Sequence, residues 1–368
     1  MKNFLLFILI SPFYLLLGQE TAPFFQSKGE NEDRYYSLRE RMEQHKVPGA
    51  SVAIFRKFQL DTTIQMGLID AQAQEPVTPN TLFQMGSMTG AVVKFAVVSL
   101  ASQGKIDLDA SANQYLGKWK IEEKSFTRRN PITVRDLLIE SRGFNDVYKP
   151  KGYRPGQPVP TWEQIMAGEA PSNIPALNLR KNTPKGSSMA NEMILQRLLE
   201  EVYQMDFASL MKEHVFDPIG MKNSLIAAEL SKSQKQNAAV GHKENGESID
   251  GKRWIYPELA HSGLWSTPED FARFVLYVYQ AAKGLDNSLL SQELALAGIK
   301  AQRGNEGLIL LEGDGNNYWG GAPEGFYAQF SANFEEGWIV VGCSNRQLAW
   351  QFVNWDLNPR SVEYARRP

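Results

Sequence analysis

The alternation of apolar and polar positions changes character twice along this chain. Residues 49–55 form a short β-branched and apolar run, Arg56-Lys57 breaks it, and a second run covers 58–66, so the pattern predicts a hairpin closing at Gly67. A loop rich in Pro and Asn follows at 76–80. The spacing then predicts a helix over 88–102, with Val92, Phe95, Ala96 and Ser99 on one face, Ser87 at its N-cap and Gln103-Gly104 as its stop. From 131 to 225 the texture is helical and loop-rich, with helices predicted over 133–139, 161–166, 192–203 and 206–214. From Gly325 it turns to β. Two long strands are predicted over 325–333 and 338–344 around the turn Glu335-Glu336-Gly337, followed by a helix near 347–355.

Early and late strands with helices between them imply a discontinuous α/β domain of the α+β kind. We expect residues 19–115 and 255–368 to build an antiparallel sheet flanked by helices, and residues 116–254 to form a mainly helical lobe. The first 17 residues change the picture in another way. Met1-Lys2-Asn3 precedes an apolar run over 4–17 and then Gly18-Gln19-Glu20, the layout of a secretory signal peptide over 1–18, cleaved near Gly18. The run is about 14 residues and Ser11-Pro12 interrupts it, whereas a membrane span needs roughly 20. The expectation is a periplasmic or secreted protein with no stable membrane anchor.

Charge excludes two function classes. The chain carries 39 Lys and Arg against 41 Asp and Glu, and loss of Lys2 with the leader moves the net charge from −2 to −3. That is neither a nucleic-acid nor a membrane-surface signature. The single Cys343 rules out an internal disulfide, so stability must come from packing, for which 43% hydrophobic residues and eight tryptophans suffice. His45, His214, His242 and His261 never fall at metal-ligand spacing, and no metal or other cofactor is expected.

Several phrases resemble one family, the penicillin-recognising serine hydrolases, which include class C β-lactamases, D,D-peptidases and related esterases. Thr81-Leu82-Phe83-Gln84-Met85-Gly86-Ser87, with the following helix ending Gln103-Gly104-Lys105-Ile106-Asp107, is similar to that family's nucleophile segment. Ile132-Thr133-Val134-Arg135-Asp136-Leu137-Leu138, Phe216-Asp217-Pro218-Ile219-Gly220-Met221 and Tyr256-Pro257-Glu258 through Gly263-Leu264-Trp265-Ser266-Thr267-Pro268-Glu269-Asp270 resemble three further landmarks, in order. The resemblance implies a β-lactamase/transpeptidase-like fold with Ser87 at the nucleophile position.

The catalytic motifs depart from that pattern. The family's Ser-x-x-Lys places a proton-accepting lysine one helical turn after the nucleophile, and here that position is Gly90. Glycine inside a helix costs roughly 0.8–1 kcal/mol against alanine, so helix stability does not explain it. Lys94 shares nearly the same face but lies about 10 Å further along the axis. The family's Tyr-x-Asn motif falls on Ser187 and Met189 in one register and on Met189 and Asn191 in the other, and neither supplies a tyrosine. The third motif falls on Trp319-Gly320-Gly321, where an indole that cannot accept a proton replaces the polar first residue.

These losses imply a catalytically silent relative, binding a small molecule, peptide or protein in the former active-site cleft. Asn191, Tyr318, Trp319, Gly320, Gly321 and Phe326, with Trp265 nearby, are the candidate ligand-binding residues. The alternative is an active esterase, peptidase or β-lactamase working through Ser87 with a non-standard base. Ser87 also has a purely structural reading as a helix cap. His261, where relatives carry a small residue, reads as a rim or structural histidine or else as a catalytic one, and Glu192 and Lys185 are expected to face solvent. Oligomeric state is not legible.

Overall fold

A computed structural model describes residues 24–26, 35–73, 75–141, 143–144, 150–180, 189–285, 288–300, 307–313 and 316–349. The signal peptide expected over 1–18 and most of the helix expected near 347–355 lie outside these residues. Nine strands matter for the site. They are β1 (Gly49–Arg56), β2 (Gln59–Gly67), β3 (Phe83–Gln84), β4 (Leu225–Ile226), β5 (Leu264–Ser266), β6 (Leu311–Gly313), β7 (Asn316–Gly321), β8 (Tyr327–Asn333) and β9 (Trp338–Ser344).

Six of these strands form one antiparallel sheet in the order β6-β7-β8-β9-β1-β2, so late strands pair directly with the early hairpin, as expected. Cys343 faces Ser51 across the β9–β1 junction. Side chains on a strand alternate between faces, and β1 is buried almost throughout because both of its faces are covered. Ala50, Val52 and Ile54 join a small cluster with Met42, Val47 and Val340, while Ala53 and Phe55 join the main core with Ile339, Val341 and Cys343. Strand β2 is an edge and stays half exposed. A second, three-stranded sheet has the order β3-β5-β4.

The β1–β2 turn is not signalled by glycine. Lys57 and Phe58 both take positive φ, +50° and +61°. Such angles are costly for residues with side chains, and tertiary contacts hold this pair. The Phe58 N–H donates to the Gly337 carbonyl at 3.0 Å. Its ring meets Tyr279 edge-on at 6.3 Å and lies 4.1 Å beneath the Lys283 ammonium.

Six helices complete the frame around the site: α1 (Thr89–Ser102), α2 (Val134–Leu138), α3 (Met189–Tyr203), α4 (Leu259–Ser262), α5 (Pro268–Ala282) and α6 (Gln292–Ile299). Thr133 starts α2 with a reciprocal capping box to Asp136. Helix α1 is buried on every side from Thr89 to Leu100, so it is a central helix rather than the one-faced helix its periodicity suggested. The expectation that Ser87 caps α1 is corrected. The chain passes through a 3₁₀ turn, Gly86–Met88, and α1 begins with Met88 already in helical geometry, which leaves no extended cap position for a serine to fill.

Candidate active site

The turn bearing Ser87 is built by close backbone approach. Gly86 has φ +54°, and a Cβ there would come within 2.7 Å of the Pro323 ring. A Cβ on Gly321, at the end of β7, would lie 1.9 Å from the Met85 carbonyl oxygen and 3.0 Å from the Ser87 nitrogen. Both positions therefore require glycine. Thr89 fixes the turn to β5, its hydroxyl donating to the Gly86 carbonyl at 2.6 Å and accepting the Leu264 N–H at 3.1 Å. Ser87 itself remains partly accessible.

Its hydroxyl is 3.2 Å from Nε2 of His261. The other ring nitrogen, Nδ1, is 2.5 Å from Oε2 of Glu192. With Nδ1–H donating to the carboxylate, the tautomer is fixed and the Nε2 lone pair faces the serine oxygen. Three chain segments converge here: the turn before α1, the short helix α4 and the first turn of α3. Helix α4 is held by the His261 and Ser262 N–H groups donating to the Glu258 carbonyl at 3.0 and 2.8 Å.

Three expectations change. Glu192 does not face solvent, because it is fully buried. His261 is buried instead of standing at the rim, with its ring nitrogens within hydrogen-bonding distance of Ser87 and Glu192. And the region around Ser87, expected to lack the family's lysine and tyrosine, contains an imidazole at hydrogen-bonding distance. Lys185, the other residue expected at solvent, lies outside the described residues.

Gly90 acquires a positive explanation. A Cβ at this position would sit 2.0 Å from Oε1 of Glu192 and 3.2 Å from Cζ2 of Trp319. The absent side chain is the space the carboxylate occupies. Lys94, one turn further on, is fully buried, 3.0 Å from Oε1 of Glu140 and 4.8 Å from the centre of the Trp319 ring. Its ammonium engages a carboxylate and an aromatic face.

The remaining candidates separate. Met189 is buried in the main core at the start of α3, while Ser187 lies outside the described residues. Asn191 is buried, and its Oδ1 accepts the Phe144 N–H at 3.3 Å. Tyr318 and Trp319 point to opposite faces of β7, the first exposed and the second buried. Phe326 is buried edge-on against Trp265, with ring centres 5.9 Å apart. Gly320 is exposed and unconstrained, unlike Gly321. The aromatic residues thus occupy separate environments instead of lining one pocket.

A second buried carboxyl belongs to the segment that carries His261. Glu258, immediately before α4, is fully buried, and neither of its oxygens meets a hydrogen-bond donor among the described residues. Burial pushes it up to about 7, against smaller opposing influences from its own backbone N–H and then from His261. His242, by contrast, is structural. Its ring nitrogens engage the Ala71 N–H at 3.1 Å and the Asn345 carbonyl at 2.8 Å, and burial lowers its proton affinity. A signal for Glu192 did exist in the sequence, as an acid within the stripe Met189, Glu192, Met193, Gln196 and Leu199 that α3 turns inward.

The comparisons agree with this geometry at the level of fold. The chain is 24% identical over 331 residues to a β-lactamase of Yersinia enterocolitica, covering 87% of this chain and 69% of that protein. It is 22% identical over 255 residues to a teichoic acid D-alanine hydrolase of Staphylococcus aureus (strain MRSA252), covering 68% of this chain but only 59% of that protein. Among solved structures it superposes on SurE with a TM-score of 0.68 at 21% identity, covering 89% of this chain and 74% of the other. The model of the Beta-lactamase family matches residues 37–354, and the chain belongs to that family.

Proposed function

We propose that this protein is an active acyl hydrolase in which Ser87 is the nucleophile, His261 the general base and Glu192 the group that orients His261. The observation that carries the reading is the continuous contact from the Ser87 hydroxyl through both nitrogens of His261 to a buried carboxylate. A serine–histidine–acid relay is a known solution to the same chemical problem on unrelated folds and is recognised by geometry rather than by chain order. The expectation of catalytic silence rested on the missing lysine, the missing tyrosine and Trp319 in the third motif. An imidazole at 3.2 Å can take over the proton transfers that the lysine and tyrosine perform elsewhere in the family.

The steps follow from the positions. Ser87 Oγ attacks the carbonyl carbon of an ester or amide as its proton passes to His261 Nε2, and Glu192 stabilises the resulting imidazolium. The backbone nitrogens of Ser87 and Ala322 border the seam between the nucleophile turn and the end of β7, and the proposal assigns their N–H groups to the oxyanion. Collapse expels the leaving group with the proton from His261. Water, deprotonated by the same imidazole, then releases the acyl group as a carboxylic acid and restores Ser87. The named relatives favour a substrate of the cell envelope, such as a β-lactam or an aminoacyl ester, and the N-terminal apolar run is consistent with a site of action outside the cytoplasm.

The test is intact-mass spectrometry after exposure to a fluorophosphonate and to an activated ester. A stoichiometric adduct on Ser87, absent in Ser87→Ala and slow to form in His261→Gln, is the expected result. No adduct, and no ester hydrolysis above Ser87→Ala, would return the protein to the ligand-binding reading.

A further inference from the structure

We infer that Glu258 is a positioning residue for the reaction, a second carboxyl whose negative charge acts on the His261 imidazole alongside Glu192. Its catalytic role rests on the Ser87–His261–Glu192 reading. The placement does not. Glu258 immediately precedes α4, the helix that carries His261, and its own backbone carbonyl receives the His261 and Ser262 N–H groups. Glu258 and His261 thus stand three residues apart at the start of one short helix, both buried, and His261 favours the ionised form of Glu258. Such coupling is reciprocal, so ionised Glu258 favours protonated His261.

What surrounds Glu258 makes a purely structural role a poor account of it. A buried carboxyl normally collects hydrogen bonds or a cation, because an unpaired one costs several kcal/mol. Here neither oxygen is met by a donor from any other described residue, and only its own backbone N–H lies near enough to favour the charged form. Two buried tyrosines, Tyr153 and Tyr256, flank it electrostatically. Burial raises both, and Glu258 adds to the effect. The Tyr256 hydroxyl does not donate to Glu258 but accepts the Glu324 N–H at 2.8 Å. Residues 153 and 255 pair through reciprocal backbone hydrogen bonds, which fixes this wall. The charged groups presented by the elements packed against α4 are Glu192 from α3 and Lys94 from α1, the latter paired with Glu140. Glu258 is therefore the carboxyl beside His261 with no assigned hydrogen-bonding duty.

The chemical consequence has a definite sign. The reaction needs His261 neutral at the start and protonated in the transition state. A negative Glu258 disfavours the first condition at low pH and stabilises the second at high pH. Removing its charge in Glu258→Gln should move the acid limb of kcat/KM to lower pH by about half a unit to one unit, while the plateau falls roughly 3- to 10-fold. A group that only filled space would lower activity without moving the limb.

The deciding experiment does not depend on turnover. The ring of His261 is followed by heteronuclear NMR against pH in the wild type and in Glu258→Gln, with His261→Gln providing the assignment. The wild-type ring should report two inflections, its own and that of Glu258. In Glu258→Gln the second should vanish and the first should drop by about the same half to one unit. Identical titrations in the two proteins would overturn the proposal. If Glu258→Gln does not fold, the wild-type curve decides, since a single inflection overturns the coupling. A protein that titrates as stated but never hydrolyses an ester would refute the function proposed above and leave the coupling standing.

Discussion

The Glu192 carboxylate occupies the volume that a side chain on Gly90 would need, with Oε1 2.0 Å from the position of the missing Cβ. The residue that breaks the family's Ser-x-x-Lys pattern is thereby the clearance for the acid that orients His261. The two positions are 102 residues apart in sequence and cannot change independently.

Gly90→Ala tests that dependence. At an unconstrained helical site this change gains roughly 0.8–1 kcal/mol. Here it pushes aside the flexible end of Glu192, a movement cheap in stability and expensive in chemistry. We expect kcat/KM for an activated ester to fall about 100-fold, as misplacements near 1 Å do, with the melting temperature changed by only a few degrees. Full activity in Gly90→Ala would refute the orienting role of Glu192. Gly90→Lys should be worse than alanine, because the longer chain competes for the same space.

Glu192→Gln should leave the fold intact and lower kcat on the order of 10⁴, the typical penalty when an amide replaces the orienting acid of a triad. His261→Gln should match Ser87→Ala within experimental scatter, since members of such a unit are strongly non-additive. A His261→Gln enzyme retaining more than a tenth of wild-type kcat would mean that another group takes the proton.

Lys94→Met separates base from buttress. Removing one partner of the buried Lys94–Glu140 pair should cost about 3–5 kcal/mol, seen as a lowered denaturation midpoint, and Lys94→Met/Glu140→Gln should cost less than the sum of the two singles. Under conditions where Lys94→Met is folded, its kcat should stay within about ten-fold of wild type. A drop as deep as that of Ser87→Ala would reinstate Lys94 as the base.

Stability should respond to pH through Glu258. Its carboxyl is raised from 4.5 to about 7 in the folded protein, so the native state holds this proton more tightly than the unfolded chain. Stability from this group is present below about pH 4.5 and is lost as pH rises to about 7, with a ceiling near 3 kcal/mol. Denaturation of wild type and Glu258→Gln at pH 5 and pH 8 measures it. The variant should gain relative to wild type at the higher pH, and a difference that does not change with pH would contradict the shift.

Local pattern carried most of the fold. The β1–β2 hairpin, β8, β9, α1 and α3 follow from runs and periodicity, and Ser87 follows from the phrase around it. The turn at Lys57 and Phe58 was not legible as a left-handed pair, because its conformation is set by Gly337, Tyr279 and Lys283 from the other end of the chain. His261 and Glu192 lie 69 residues apart, and their meeting depends on how α4 packs on α3, which no local pattern encodes. Reading Gly90 as a loss followed from comparing one motif at a time. Its compensation lies in a contact between distant segments.

The acid of the proposed triad comes from the helix-rich middle of the chain, whereas the serine and histidine come from the segments on either side of it. Catalytic competence is therefore a gauge of how firmly that middle portion is seated. In a denaturant series, ester turnover should fade while the sheet still gives its full circular-dichroism signal, since a slight lifting of α3 withdraws the Glu192 carboxylate from the imidazole long before any strand parts.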